Sequence, residues 1–306
     1  MTLNELRYIV AVAQELSFRR AAEKCFISQP ALSLAILKLE QELGVKIFER
    51  GKTEISVTPS GLRIVEQAQR VMEEAEKLRG IALQGSDPLA GPLRVGMIYT
   101  VGPYLLPDLI PALKKLAPKM PLEVEENITD NLDALLRNGK LDVIVIALPY
   151  GDAAIQTLPL YDEPFEVVVS NDHRWAGRRS VKPAELSSEK VLLLDSGHCF
   201  SNQVAEACPE LSRRGAEIQQ GTSFETIRNM AASGLGITVL PASANSSRYR
   251  SKLLKVIPFV NPAPTRRIAL AWRKSFARTP AVRVLAQAIA QAGIYGVKPL
   301  RRPAHA

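Results

Sequence analysis

The chain has 306 residues, of which 46% are hydrophobic, and it carries a formal net charge of +8. This length and composition predict two or three globular units, each with its own core. No apolar run approaches the ~20 residues of a membrane span, and the N-terminus lacks the basic and apolar regions of a signal peptide. We therefore expect a cytoplasmic protein with no membrane partner. In that compartment a disulfide is usually transient or redox-sensing.

The excess of positive charge lies outside the first part of the chain. Residues 1–90 hold 12 basic and 12 acidic residues, whereas residues 91–306 hold 27 basic and 19 acidic ones. The overall charge is therefore no argument for nucleic-acid binding by the N-terminal part. Such an argument has to rest on motifs and on where individual residues lie.

Three helices are predicted within the first 42 residues. Apolar residues at helical spacing over residues 3–15 indicate the first. Residues 18–25 form a short second helix with Ser17 as its N-cap. The third follows a two-residue turn, with Ser28 as its N-cap and Pro30 in its first turn, where a missing N–H costs nothing.

The second and third helices, joined by a tight turn, predict a helix-turn-helix. The third helix opens with the polar residues Gln29 and Ser33, as expected of a helix that reads DNA. Gly44 ends this helix, and residues 45–57 predict a two-stranded wing that carries Arg50. The N-terminal part is therefore predicted to be a winged helix-turn-helix.

A long helix is predicted over residues 59–84. Its apolar residues recur every three or four positions for about six turns, and nothing nearby in the sequence would bury them. We predict that this helix pairs with a second copy of the chain. The alternative is a helix packed into the core of its own chain. Residues 85–92, rich in Gly and Pro, predict a hinge.

Strands and helices alternate after the hinge, as in α/β domains built on parallel strands. Two such series are predicted, with the chain crossing between them near Pro164 and again near Arg266. The first lobe would comprise residues 93–163 and 268–298, and the second residues 164–267. The predicted fold class is therefore α/β: a winged helix-turn-helix and a long dimerisation helix, then a two-lobed sensor domain like a periplasmic binding protein, with a cleft between the lobes.

Two of the three cysteines, Cys199 and Cys208, follow a predicted buried strand. Residues 200–207 contain no Gly or Pro and predict a short helix with Cys199 near its N-terminus. The positive end of a helix, with a cation nearby, favours the thiolate, which is the form that attacks peroxide. The sulfenic acid that results can condense with a second thiol to give a disulfide.

A disulfide between these two cysteines would require the helix to change. Nine residues of helix span about 13 Å, whereas a disulfide needs its two Cα atoms within about 7 Å. Oxidation would therefore act as a conformational switch. Two alternatives stay open. Both cysteines could be inert buried side chains, or they could bind zinc with His198, although a structural zinc site needs four ligands.

Eight short motifs are spread through the N-terminal part. They are Leu6–Tyr8, Ser17–Phe18, Ala21–Ala22, Ser28–Ser33, Leu39–Glu40, Leu43–Gly44, Phe48–Arg50 and Thr58–Gly61. With these motifs the N-terminal part resembles the LysR-type transcriptional regulators.

A second set of motifs runs through the C-terminal part. They are Thr100–Pro107, Gly139–Asp142, Asp162–Pro164, Gly197–Cys199, Cys208, Arg228–Met230 and Gly236–Thr238. Over nearly its whole length this part resembles one branch of that family, the OxyR-type hydrogen-peroxide sensors. The two cysteines at this spacing are specific to the branch, whereas the helix-turn-helix alone would indicate only the superfamily.

The resemblance implies that Cys199 is the peroxidatic thiol and Cys208 the resolving thiol. The hydroxyls of Thr100 and Thr129 would orient the peroxide, the alternative being that both threonines cap helices. The resemblance implies no cofactor and no metal, and a regulator rather than an enzyme.

The resemblance also implies that His198 and Arg266 stabilise the thiolate and that Arg228 supports the site. A thiol with an unperturbed pKa near 8.5 is only a few per cent ionised at neutral pH. The alternative for His198 is a core histidine with satisfied hydrogen bonds, and the alternative for Arg266 is a solvated charge. Ser201 and Asn202 replace an Arg-Asp pair that close relatives often have, which puts the rate of the Cys199 reaction in doubt.

For DNA, the resemblance implies that Gln29, Pro30 and Ser33, beside Ser28, reach base edges in the major groove. Arg50 on the wing would approach the phosphate backbone or the minor groove.

The implied partners are double-stranded DNA, hydrogen peroxide, RNA polymerase and a thiol reductant such as glutaredoxin or thioredoxin. A homodimer through residues 59–84 and a homotetramer are also implied. Two rival functions stay open: a regulator that binds a small organic effector in the cleft, and a thiol peroxidase. The helix-turn-helix argues against the peroxidase.

Overall fold

The computed structural model describes residues 1–50, 55–83, 87–213 and 217–300. The chain divides into two compact units, Met1–Ser86 and Asp87–Ala306. Among the described residues, no helix combines the length and the apolar character needed to span a membrane.

The first unit is a winged helix-turn-helix followed by a long helix, as predicted. Ser17 and Ser28 cap their helices by accepting hydrogen bonds from the backbone N–H groups of Arg20 and Ala31. The two strands of the wing pair antiparallel. The elements are α1 (Leu3–Glu15), α2 (Phe18–Cys25), α3 (Gln29–Leu43), β1 (Phe48–Arg50), β2 (Ile55–Val57) and α4 (Pro59–Leu83).

The apolar stripe of α4 is partly covered by its own chain. Ala68 is buried in the helix-turn-helix core, whereas Leu62 is 54% exposed. The first half of the stripe is thus covered in part by α1, which is distant in the sequence, as in the alternative of a helix packed into its own chain. The pairing of α4 with a second copy of the chain stays a prediction. The side chains of residues 76–83 lie outside the described residues. Four partly buried side chains of α4 pack against the helix-turn-helix core: Ile64, Val65, Val71 and Met72.

The second unit is a mixed α/β domain around a ten-stranded sheet with the order β4-β3-β5-β11-β6-β9-β7-β8, in which β10 and β12 also pair with β6. Its elements are β3 (Leu93–Ile98), α5 (Gly102–Leu116), β4 (Leu122–Asn127), α6 (Thr129–Arg137), β5 (Val143–Leu148), β6 (Ile155–Ser170), β7 (Val191–Leu194), α7 (Cys199–Ala207), α8 (Glu210–Arg213), β8 (Ile218–Gly221), α9 (Phe224–Ala232), β9 (Ile237–Pro241), β10 (Leu254–Pro258), β11 (Thr265–Arg273), α10 (Thr279–Gln291) and β12 (Lys298–Pro299).

Two lobes arise because the long strand β6 changes partners along its length. It pairs with β11 up to Pro164 and with β9 from Phe165 onward. Lobe I, as we use the term, contains the parallel strands β3, β4 and β5, and lobe II the parallel strands β7, β8 and β9. Each lobe has its own hydrophobic core. The change of partner falls where the sequence predicts a crossing, at Pro164.

Candidate functional site

The segment with the two cysteines forms helix α7, which confirms the predicted helix. His198 is the N-cap and Cys199 the first helical residue. The Ser201 hydroxyl donates a 2.6 Å hydrogen bond to the carbonyl of Leu194, which ties the first turn to the end of β7. Phe200 and Val204, four residues apart and hence on one face, are buried in the core of lobe II.

The two cysteines have different surroundings. Both are reduced. Cys199 is half-buried and packs against the core of lobe I, whereas Cys208 is fully buried within the core of lobe II. Nine residues at 1.5 Å each place them about 13 Å apart along the helix. A disulfide between them therefore requires α7 to unwind.

Burial raises the pKa of the Cys208 thiol to about 11, because removal from water penalises the charged form. At neutral pH Cys208 is therefore a neutral thiol and a poor nucleophile in this conformation. Of the two, only Cys199 is reachable by a small molecule from outside the core.

Thr100 and Thr129 follow two neighbouring parallel strands. Ile98 and Asn127 are paired in the register of β3 and β4, and each threonine lies two residues further on. Both threonines therefore lie at the same edge of the sheet. Neither caps a helix: Val101 is the N-cap of α5 and Ile128 that of α6, and neither helix has a side-chain cap.

The start of α7 lies at this edge of the sheet. A β-carbon at Gly197 would lie 4.0 Å from Cγ2 of Ile128, the residue before Thr129. The Thr129 hydroxyl is buried and has no hydrogen-bond partner within the described structure. Gly197, two residues before Cys199, thus lies next to the residue that precedes Thr129; that Thr129 and Cys199 share a site stays a prediction.

Arg266 is buried and fully engaged, not a solvated charge. Its guanidinium donates 2.8 Å hydrogen bonds to the hydroxyl and the carbonyl of Thr100 and to Oε2 of Glu163. It also lies 5.1 Å from the centroid of the Phe200 ring on α7. Among the hydrogen bonds of the described residues, none joins Arg266 to Cys199. The arginine orients Thr100, and Glu163 balances its charge.

Glu163 is a functional candidate that sequence reasoning missed. It is fully buried, and besides Arg266 it accepts a 3.1 Å hydrogen bond from the backbone N–H of Ser243. Its neighbours in the motif Asp162–Pro164 were visible in the sequence, but its partner lies 103 positions away. Only the antiparallel pairing of β6 and β11 sets Glu163 opposite Arg266.

His198 lies beside Cys199 at the mouth of the site. Its Nε2 lies 3.6 Å from Oδ1 of Asp195, and its ring meets Tyr99 edge-on with centroids 5.8 Å apart. The carboxylate and the aromatic ring hold the imidazole in place. Asp195 is a second residue that sequence reasoning left out.

Arg228 braces lobe II. It is buried on α9, and its guanidinium donates to the Glu225 carboxylate at 2.9 Å and to the carbonyls of Ala244 and Tyr249. Two of these partners, Glu225 and Tyr249, line the same cleft as His198 and Thr100. That Arg228 supports the cysteine site stays a prediction.

Two further buried oxygens near these elements have no hydrogen-bond partner within the described structure, Oε1 of Gln203 and Oε1 of Glu126. Gln203 lies one turn after Cys199, on the same face of α7. Glu126 is the penultimate residue of β4, and burial raises its pKa. Buried polar atoms normally have a partner. Like the Thr129 hydroxyl, each of these oxygens has hydrogen-bonding capacity that no group of the described structure uses.

A cleft of about 580 Å³ lies between the lobes. Thr100 and His198 reach its wall, so it adjoins the cysteine site. Tyr249 closes one end by donating a 2.7 Å hydrogen bond to the carbonyl of Pro103. The other lining residues are Tyr99, Tyr104, Leu194, Thr222, Ser223, Phe224 and Glu225.

No group of three metal-binding side chains occurs within the described ranges. The zinc alternative therefore has no support there.

Helix α3 begins at Gln29 after the Ser28 cap, as predicted, and its contacts with DNA stay a prediction. Gln29 and Pro30 are exposed on α3, and the Gln29 amide donates a 3.3 Å hydrogen bond to the Ser33 hydroxyl. The Ser28 hydroxyl serves as the cap of the helix. The backbone of Arg50 ends β1, but its side chain lies outside the described residues, as do residues 51–54.

Two family models together match most of the chain. The model of the bacterial regulatory helix-turn-helix protein of the lysR family matches residues 3–62. The model of the LysR substrate binding domain matches residues 86–293. The fold and these matches define a LysR-type transcriptional regulator.

The chain is 40% identical over 289 residues to the DNA-binding transcriptional dual regulator OxyR of Escherichia coli K12, covering 94% of this chain and 95% of that one. The structure of a full-length OxyR cysteine-to-aspartate variant from Pseudomonas aeruginosa matches with 49% identity and a TM-score of 0.81, covering 99% of both chains. A Corynebacterium glutamicum OxyR cysteine-to-serine variant with hydrogen peroxide bound matches with 34% identity and a TM-score of 0.65, covering 95% of this chain and 92% of that one. The chain belongs to the OxyR family of LysR-type regulators.

Proposed function

We propose that this protein is a DNA-binding transcriptional regulator that senses hydrogen peroxide by oxidation of Cys199 and formation of a Cys199–Cys208 disulfide. The observation that carries the proposal is the asymmetry of the two thiols. Cys199 is reachable at the N-terminus of α7, while Cys208 is fully buried behind the same helix. One thiol is thus placed to meet peroxide, and the other to react only after the helix opens.

The chemistry balances with these two residues alone. The Cys199 thiolate attacks one peroxide oxygen, the O–O bond breaks, and the departing hydroxide takes a proton to become water. Cys199 is then a sulfenic acid. The Cys208 sulfur attacks the Cys199 sulfur, the S–O bond breaks, and a second water leaves. Two thiols are oxidised to a disulfide, and one peroxide is reduced to two waters.

The neighbouring side chains supply orientation and charge. We assign to Thr100, held by Arg266, and to Thr129 the hydrogen bonds that orient the peroxide oxygens. Cys199 lies next to His198 at the positive N-terminus of α7, and the Arg266 guanidinium lies 5.1 Å from the centroid of the Phe200 ring on the same helix. Arg228 keeps the role of a brace for lobe II. These assignments rest on position at one edge of the sheet.

Oxidation would reach DNA through the subunit arrangement. Ile110, Ile218 and Leu235 are 50%, 43% and 46% exposed, and β4 and β8 are the two ends of the main sheet. We assign these apolar residues to an interface between sensor domains, and α4 to a dimer contact near the DNA-binding part. A homotetramer follows from the two contacts. We further propose that the protein has RNA polymerase and a thiol reductant as partners and is located in the cytoplasm.

The interface has its own test. Ile110→Asp should lower the molar mass of the reduced protein, measured by sedimentation in the analytical ultracentrifuge. Leu253→Asp, at a side chain that is 61% exposed elsewhere on lobe II, should leave that mass unchanged. Equal masses for all three proteins would remove Ile110 from the interface.

The sensing step is tested by trapping sulfenic acid with dimedone after one equivalent of hydrogen peroxide. Cys208→Ser should be labelled at Cys199, Cys199→Ser should not be labelled, and Cys25→Ser should behave as wild type. Non-reducing peptide mapping of the wild type should show the Cys199–Cys208 disulfide. Labelling chiefly at Cys208 would reverse the two roles, and no oxidation at either thiol would refute the proposal.

The interlobe cleft supports a second candidate, a regulator that binds a small organic effector. Its test uses the variant that lacks both Cys199 and Cys208. A small organic compound that altered DNA binding by this variant would establish the second function. It would replace the first only if the wild type also showed no oxidation at either thiol.

A further inference from the structure

Two large apolar side chains of the DNA-binding unit are turned to solvent. Phe26 is 94% exposed and Leu34 is 68% exposed, the two highest values among the large apolar side chains of the described residues. Phe26 ends α2 in the turn before α3, and Leu34 lies in the first half of α3, the helix that carries Gln29 and Ser33.

The fold does not account for a phenylalanine at position 26. Its φ is 57°, a left-handed conformation that glycine or asparagine adopts at lower cost. The apolar contact that commonly follows the end of a helix is made by the next residue, Ile27, which packs against the helix-turn-helix core. The backbone N–H of Phe26 caps α2 by donating to the carbonyls of Ala22 and Glu23, but its side chain is 94% exposed and does not pack into the core.

Leu34 occupies the outward face of α3. Leu32 and Ile36 are fully buried, and Leu34 lies two residues from each, which places it about 160° away from both around the helix. Pro30, one turn earlier on the same side, is exposed as well.

We propose that Phe26, Pro30 and Leu34 form an apolar strip that reads thymine methyl groups in the major groove. Thymine is the base that presents an apolar group there, its 5-methyl. The strip adjoins the hydrogen-bonding residues Gln29 and Ser33, so one helix end carries both kinds of base contact. The inference rests on DNA binding by the family helix-turn-helix and is independent of peroxide sensing.

The test replaces thymine by deoxyuridine, which removes only the methyl group. The probe is the duplex that the full-length wild-type protein selects most tightly from a randomised pool, with each thymine replaced in turn. At the contacted positions the wild type should bind about fourfold more weakly per methyl, from the transfer free energy of one such group. Leu34→Ala and Phe26→Ala should lose similar affinity for the thymine duplex and should no longer respond to deoxyuridine at their own position.

Two variants separate base reading from folding. Leu34→Met keeps an apolar contact and should keep the response to deoxyuridine. Leu3→Ala alters a leucine that is 52% exposed on α1 and should leave all affinities unchanged. Leu3 lies two residues after Met1, whose amino group is 2.9 Å from Glu42 at the far end of α3. If the responses to deoxyuridine are the same in Leu34→Ala, Phe26→Ala and wild type, or absent throughout, the strip does not read thymine.

Discussion

Val204→Ala should make the Cys199–Cys208 disulfide easier to form. Val204 is fully buried on α7 in the reduced protein. The substitution removes two carbon atoms, worth about 1.6 kcal/mol at about 0.8 kcal/mol for each buried group. If α7 unwinds on oxidation, only the reduced form loses this stabilisation. The equilibrium then shifts toward the disulfide, and the midpoint potential becomes more negative by about 35 mV.

The assay equilibrates each protein in glutathione or dithiothreitol redox buffers and measures the disulfide fraction by alkylation and mass spectrometry. Val239→Ala is the matched control, because Val239 is equally buried in the same core but lies on β9, outside the segment that must rearrange. It should destabilise both redox forms alike and leave the potential unchanged. If Val204→Ala shifts the potential no more than Val239→Ala, the contacts of α7 survive oxidation and the proposed switch is wrong.

Three further predictions concern the surroundings of the thiols. Burial raises the pKa of Cys208 to about 11, so the folded state holds this proton more tightly than the unfolded state. The stability that the bound proton contributes is complete below pH 9 and is lost as pH rises through 11. In urea unfolding of the reduced protein, the free energy of unfolding of the wild type should therefore exceed that of Cys208→Ala by an amount that shrinks over this window. Glu163→Gln leaves a buried guanidinium unpaired and should cost about 3–5 kcal/mol in the free energy of unfolding. Asp162→Asn, which breaks the adjacent exposed ion pair, should cost about 0–1 kcal/mol, and equal costs would contradict the burial argument. Thr129→Val should leave the melting temperature nearly unchanged, because the Thr129 hydroxyl has no partner in the described structure, but should slow the reaction with peroxide measured by stopped-flow. Thr100→Val should lower both the melting temperature and this rate. An unaltered rate in Thr129→Val would remove Thr129 from the site.

Local signals sufficed for the DNA-binding unit and for α7. Ser17 and Ser28 marked helix starts because a hydroxyl before an apolar run satisfies free N–H groups wherever the chain goes next. The run of residues 200–207 without Gly or Pro marked α7, and with it the position of Cys199 at a helix start. Helix length then implied the separation of the two cysteines before any contact was known.

Strand β6 shows where such signals end. The sequence predicts that the chain crosses between the lobes near Pro164, and the structure shows that one continuous strand, Ile155–Ser170, makes this crossing. Its first part lies between β11 and β12 in lobe I and its second part between β9 and β10 in lobe II. Its pattern of burial therefore follows two different sets of neighbours, and no single periodicity describes it.

The sequence by itself determined the helices of the DNA-binding unit, helix α7, the two thiols and their spacing, because each depends on residues within a few turns of one another. Only the tertiary structure decided that Cys208 is buried, that Arg266 is paired with Glu163, and that the first half of α4 is covered. These properties arise from contacts between residues far apart in the chain. Burial and charge pairing depend on which strands and helices meet, and that is settled by the packing of the whole sheet rather than by any local pattern.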